Sequence, residues 1–172
     1  MEGENMTEVK DLIDEKLICL DLEAKNKEEV IKKMACLIHE DHKLCCLPDC
    51  DENNEECNAV KGYINSLFER EASFSTAVGY SFAIPHGKSC CVDKACIAYS
   101  RLKEEIPWDE EEKVKHIFMI GVSDKNAGNE HLEILIKLST SILEDDFREK
   151  LDNAKEKREV IELLEKYSEK ER

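Results

Sequence analysis

His86 stands at the end of an apolar run, immediately between Pro85 and Gly87. Proline has no amide hydrogen, so a strand carrying Val78, Phe82 and Ile84 is expected to stop there and present the histidine at the edge of a sheet. Gly87 leaves room beside the ring. A neutral imidazole so placed is a good nucleophile, and small neighbours would admit a large electrophile such as a phosphoryl group. A second histidine, His131, lies in Asn129-Glu130-His131-Leu132, where a helix is expected to open after a core strand. Two imidazoles at element ends can converge, one attacking while the other donates a hydrogen bond to the incoming oxygens. Arg70, in the last turn of a helix before the histidine strand, would supply positive charge. Each has a plainer reading when taken singly: His86 as a loop residue, His131 as a helix N-terminal residue bonded to backbone, Arg70 as a cation on a helix dipole.

Around these residues the sequence predicts alternating strands and helices. Leu12-Ile13 opens with a short helical or turn element, and Leu17-Ile18-Cys19-Leu20 reads as a strand. Asn26 caps a helix with Val30, Met34, Leu37 and Ile38 on its apolar side. A second helix runs from about Glu55 to Ala72-Ser73, burying Val60, Ile64, Leu67 and Phe68. Ala95 to Tyr99 and Ile117 to Val122 are dense apolar runs of central-strand type, with Pro107 and Trp108 between them. A third helix opens at Glu130 with Leu132, Leu135, Ile136, Leu138 and Ile142 as its stripe, and two charged helical segments, about 147–154 and 159–167, close the chain. The expected fold is α/β, a mixed central sheet flanked by helices on both faces. The acidic runs Asp109 to Glu112 and Glu144 to Asp146 read as solvated turns.

A chain of 172 residues is expected to form a single domain, here spanning 1–172 with a cysteine-rich loop insertion at about 44–58. The formal net charge of -15 argues against nucleic acid as a partner. Apolar runs fall far short of a membrane span, and the N-terminus has neither a basic region nor an apolar signal core, so a soluble, cytoplasmic protein is expected. Nine cysteines, some in the adjacent pairs Cys45-Cys46 and Cys90-Cys91, fit reduced thiols better than disulfides. Cys45, Cys46, Cys50 and Cys57, with His39 and His42 upstream, have enough ligands for zinc, but their spacing does not repeat as paired C-x-x-C knuckles. Incidental thiols and no bound metal are expected there, with Cys19, Cys36 and Cys96 as small core residues. His39, His42 and His116 carry no partner signature and read as solvated or locally satisfied, and Trp108 as packing at a strand entrance.

Arg70-Glu71, then Ser75-Thr76-x-x-Gly79, Ala83-Ile84-Pro85-His86-Gly87, Trp108 and Glu130-His131-Leu132, in that order and spacing, resemble one family. It is the type IIA (EIIA) phosphocarrier domains of the fructose and mannitol branch of the bacterial phosphotransferase system. The resemblance covers the chain from about Leu12 onward. It implies a phosphotransferase component in which His86 accepts a phosphoryl group from the carrier protein HPr and passes it to a cysteine of an EIIB domain during sugar uptake. By the same resemblance His131 assists, Arg70 balances the phosphate charge, and Thr76 adds a hydroxyl hydrogen bond.

Phosphoryl transfer between proteins needs positioning and charge stabilisation, which agrees with the lack of a nucleotide loop or Mg²⁺ carboxylate cluster, and no cofactor is expected. No IIB-type cysteine loop is present, so EIIB is expected on another chain, with the membrane component EIIC engaged only indirectly. The alternative is a regulatory module of the same fold whose phosphorylation state controls a partner without sugar transport.

Overall fold

Asn26 opens the first long helix because its side-chain carbonyl accepts the Glu29 amide hydrogen at 2.9 Å, satisfying one donor that the first turn leaves over. The structure is a computed structural model and describes residues 9–44, 58–123 and 130–168. In chain order it has β1 (Ile18–Leu22), α1 (Lys27–Glu40), α2 (Asn58–Ser73), β2 (Ala77–Gly79), β3 (Phe82–Ala83), β4 (His86–Ser89), β5 (Cys96–Pro107), β6 (Lys113–Ser123), α3 (Glu130–Ile142), α4 (Asp145–Asn153) and α5 (Lys157–Ser168). A 3-10 turn at Val9–Asp11 and another at Glu15–Leu17 precede β1.

The sheet is mixed, as the residue pattern predicts. Its order is β1-β5-β6-β3-β2, with β4 also paired to β6. The antiparallel pair β5 and β6 forms its spine; β1 runs parallel to β5, β3 and β4 run parallel to β6, and β2 pairs antiparallel with β3. Both central strands are longer than their apolar runs, because each continues into a hairpin whose outer end carries charge. Helices α1 and α2 pack together on one face, where the Tyr63 hydroxyl donates to the Ile120 carbonyl of β6 at 2.9 Å. Helices α3, α4 and α5 cover the other, where Phe118 of β6 stacks on Phe147 of α4. Arg101 of β5 fastens that second layer, its Nη1 donating to the carbonyls of Leu151 at 2.8 Å and Ala154 at 2.7 Å at the end of α4.

Four expectations need correction. The run Val78 to Ile84 is no single strand: Gly79, Tyr80 and Ser81 have φ of 93°, 59° and 70°, so the chain reverses between β2 and β3 and leaves Val78 exposed. Arg148 sits over the Tyr80 ring at 4.0 Å and donates to the Ile142 carbonyl, so the left-handed turn is fastened to the junction of α3 and α4.

Pro85 does not end the strand direction either. Phe82 and Ala83 pair with His116 and Ile117, and His86 resumes opposite Ile120, so both strands advance together and no residue is bulged out. The Pro85 carbonyl keeps its part of the ladder by accepting the Ile120 amide hydrogen at 2.9 Å. Finally, α3 buries Ile134, Leu138 and Ile142, whereas Leu132 and Ile136 of the expected stripe are exposed. The helix is apolar on two sides, and the stripe read from sequence mixed them. Cys96 is buried, but Cys19 and Cys36 are only partly covered. The expected insertion and its cysteines, from Cys45 to Cys57, lie outside the described residues.

His116 belongs to the core. It stacks on Phe82 with ring centroids 4.4 Å apart, its Nδ1 accepts from the Tyr99 hydroxyl at 2.6 Å, and its Nε2 faces Asp152 Oδ1 at 3.2 Å. It is satisfied locally and is not solvated. Burial pushes its pKa down from 6.5 to about 4, outweighing the pull of the Asp152 carboxylate. An imidazole that protonates less readily when folded gives stability that is complete above pH 6.5 and is lost as pH falls through 4. Urea unfolding is expected to show stability falling by on the order of 3 kcal/mol across that interval from this group. His116→Gln should be less stable at neutral pH and should lose less on acidification; an unchanged pH slope would contradict the assignment.

Candidate functional site

Arg70 and Glu71 are neighbours in the last turn of α2, and the helical rotation between them sends one to the surface and the other inward. Arg70 donates through Nε to His86 Nε2 at 3.1 Å and through Nη1 to the Phe74 carbonyl at 2.7 Å. On the other side of the ring, His86 Nδ1 lies 2.8 Å from the Ile84 carbonyl oxygen. A carbonyl can only accept, so Nδ1 carries the proton and Nε2 offers its lone pair to the guanidinium. His86 is thus a neutral imidazole of defined tautomer, half-buried, with its nucleophilic nitrogen beside a fixed positive charge.

Glu71 is the buried counterpart. Its Oε2 accepts the Thr76 amide hydrogen at 2.9 Å and the Trp108 Nε1 hydrogen at 3.0 Å, its Oε1 accepts the Thr76 hydroxyl at 2.7 Å, and Lys27 Nζ lies 3.7 Å away. A carboxylate removed from water demands such a set of donors. The Thr76 hydroxyl proton is therefore committed to Glu71, which corrects the expectation that it reaches the phosphoryl group. Trp108 packs as expected and also serves as a donor, with only 3% of its surface exposed. The Thr76 carbonyl accepts the Ile84 amide hydrogen at 3.0 Å. The bonds form a closed path: Glu71 to Thr76, Thr76 to Ile84, Ile84 to His86, His86 to Arg70.

The segment before β2 is held at a further point. Ser75 Oγ donates to Asp109 Oδ2 at 2.5 Å, and Asp109 Oδ1 also accepts the amide hydrogens of Glu111 and Glu112. Those bonds, that of Ser75 foremost, hold the Asp109 carboxyl below the usual range, so this acid is a structural cap within its solvated turn.

The backbone of His131 lies in the first turn of α3, as the sequence predicts; its side chain lies outside the described residues. Among the described residues no three His, Cys, Asp or Glu side chains converge to hold a metal ion. Of the residues singled out from sequence, the structure joins Arg70 to His86 directly and Thr76 to His86 through backbone. Glu71, Lys27 and the donor role of Trp108 were missed. The available signal was phase: Glu71 falls four residues after Leu67 and eight after Tyr63, on the stripe that α2 buries.

Residues 11–167 match the family model for the phosphoenolpyruvate-dependent sugar phosphotransferase system, EIIA 2. The chain belongs to that family. Multiphosphoryl transfer protein 2 of Escherichia coli is 31% identical over 153 residues, covering 89% of this chain but 17% of that protein's own length. Among solved structures, the nitrogen regulatory protein IIA-Ntr of Neisseria meningitidis superposes with a TM-score of 0.74 at 27% identity, covering 91% of this chain and 98% of that one. The complex of enzyme IIA-Mtl with phosphorylated enzyme IIB-Mtl from Escherichia coli shares the fold, with a TM-score of 0.68 at 20% identity over 88% of this chain and 96% of the matched one.

In this EIIA-family chain Gly87 is needed for close approach. A Cβ there would stand 2.9 Å from Ser66 Oγ of α2. Gly87→Ala is expected to cost about 1 to 3 kcal/mol by overpacking. Combining it with Ser66→Ala should recover most of the loss in thermal melts, and additive losses would show that the contact is not the cause.

Proposed function

We propose that this protein is a phosphocarrier whose His86 Nε2 accepts a phosphoryl group from the phosphohistidine of HPr and yields it to a cysteine of an EIIB domain on another chain. The observation that carries this reading is the pairing of Arg70 Nε with His86 Nε2 while Nδ1–H is held by Ile84. In the transfer, the Nε2 lone pair attacks phosphorus in line as the donor's P–N bond breaks and its imidazole leaves with the bonding pair. The proton stays on Nδ1, donated in a hydrogen bond to the Ile84 carbonyl, whose oxygen supports the positive ring that results. Arg70 passes its hydrogen bond from Nε2 to a phosphoryl oxygen, and His131 at the start of α3 assists at the same oxygens.

Exchange between two partners needs an accessible, modest interface. Phe74, whose carbonyl holds Arg70, is 75% exposed. Tyr80, Leu132, Ile136 and Leu143 are also exposed, and the last three share one side of α3 and its end. This apolar rim suits docking, and the net charge of -15 steers a basic partner toward it. Among the described residues no helix is long and apolar enough to cross a membrane, in keeping with a cytoplasmic component that reaches EIIC only through EIIB.

The likeness to nitrogen regulatory protein IIA-Ntr favours a second reading, in which phosphorylation of His86 controls a partner and no sugar is moved. The two diverge at the onward step.

Incubation with phosphoenolpyruvate, enzyme I and HPr should add one acid-labile phosphoryl group, read by intact mass, to the wild type and none to His86→Ala. Arg70→Ala should slow the gain about 100-fold, and His131→Ala should slow it as well. Rapid discharge to an EIIB cysteine supports the transport reading, and a stable phosphoprotein with a phosphorylation-dependent partner supports the regulatory one. No mass gain in the wild type would overturn both.

A further inference from the structure

We propose that Glu71 is a positioning residue that selects the tautomer of His86, and so the nitrogen that reacts, without touching the imidazole. The proposal rests on the reading of His86 as the acceptor. An imidazole in water exchanges its proton freely between Nδ1 and Nε2, and the nucleophile is whichever nitrogen lacks it. Here the choice is made by the Ile84 carbonyl, 2.8 Å from Nδ1. That carbonyl is aimed by the peptide that follows β3, and the same residue's amide is tied to the Thr76 carbonyl. Thr76 in turn is gripped twice by one carboxylate, through its amide and its hydroxyl.

Glu71 thereby sets the height of the Thr76 to Ile84 crossing, and the crossing sets where Ile84's oxygen points. A side chain needed only for packing would not be an acid on the buried stripe of α2, where its charge is costly to keep. Its side chain is 4% exposed, and its donors come from three separate places: the first turn of α1, the segment before β2, and the end of β5. Because Glu71 adjoins Arg70 in one helical turn, the residue that fixes the proton on Nδ1 and the residue that greets the lone pair on Nε2 are placed by the same backbone. A shift of that turn would misplace both together.

The test is 15N-edited NMR of the imidazole nitrogens at pH 8, on the full chain and with no donor protein. Wild type is expected to show His86 with Nδ1 protonated and Nε2 bare. Glu71→Ala, in a folded sample, should shift His86 to a mixture of tautomers and slow phosphoryl uptake roughly 10-fold to 100-fold, as for removal of an outer-shell support. His116, held separately by Tyr99 and Asp152, is the internal control and should not change. Glu71→Gln, whose carbonyl can still accept from Thr76 and Trp108 while the Thr76 hydroxyl turns to accept from the amide, should recover the wild-type tautomer. If Glu71→Ala does not fold, Thr76→Val breaks one of the two bonds at near-constant volume and should produce a partial shift in the same direction. A wild-type tautomer in whichever of these two variants is folded overturns the proposal. Because the tautomer is read without transfer, a wild type that keeps Nδ1–H yet takes up no phosphoryl group would count against the phosphocarrier reading alone.

Discussion

A carboxylate buried at the end of α2 must be met by donors from every side, and that requirement shapes everything between α2 and β4. Glu71 collects the Thr76 amide and hydroxyl, the Trp108 indole and the Lys27 ammonium. Without those donors the helix end would hold an unpaired charge, which costs far more than any single contact returns. With them, the chain leaving α2 has little freedom before it reaches the sheet. The ordinary roles of a helix terminus and a strand entrance are thus combined with placement of a reactive ring.

The second constraint is β6. It offers one continuous ladder to two short strands, so β3 and β4 behave as one line despite Pro85 between them. His86 stands opposite Ile120, the residue whose carbonyl also receives the Tyr63 hydroxyl of α2. Helix and histidine are therefore referenced to the same point of the same buried strand. Arg70 reaches over from the same helix to His86 Nε2 while its Nη1 holds the Phe74 carbonyl.

Much of this was legible in the sequence, for physical reasons that differ from element to element. Asn26 announces α1 because an N-cap acts locally, and the runs around Ile97 and Ile120 announce central strands because strands buried on both faces lose alternation. His86, Arg70 and the start of α3 were legible through motif order. What could not be read was tertiary. Three successive left-handed residues from Gly79 to Ser81 include two that seldom adopt that conformation, and only the fold compels them. The face of α3 that turns inward was ambiguous because Leu132 and Ile136 are as apolar as Ile134 and Leu138. Glu71 was hidden for the opposite reason: an acid on an apolar stripe looks like a solvated residue until its donors are known. The destination of the Thr76 hydroxyl was invisible for the same reason.

The strained turn at Tyr80 and Ser81, clamped by Arg148 to the junction of α3 and α4, has a kinetic meaning. It joins the rim formed by the β2–β3 turn to the rim formed by α3, so the two move as one piece. A protein docking there would meet a turn whose backbone and Tyr80 ring are already placed, so little of that freedom would be lost on contact. Such a face needs no large gain from binding to be recognised, and it does not have to loosen before the visitor departs. For a phosphocarrier serving two partners, a preformed face of that kind lowers the ordering cost of each encounter, so both can be recognised through modest interfaces.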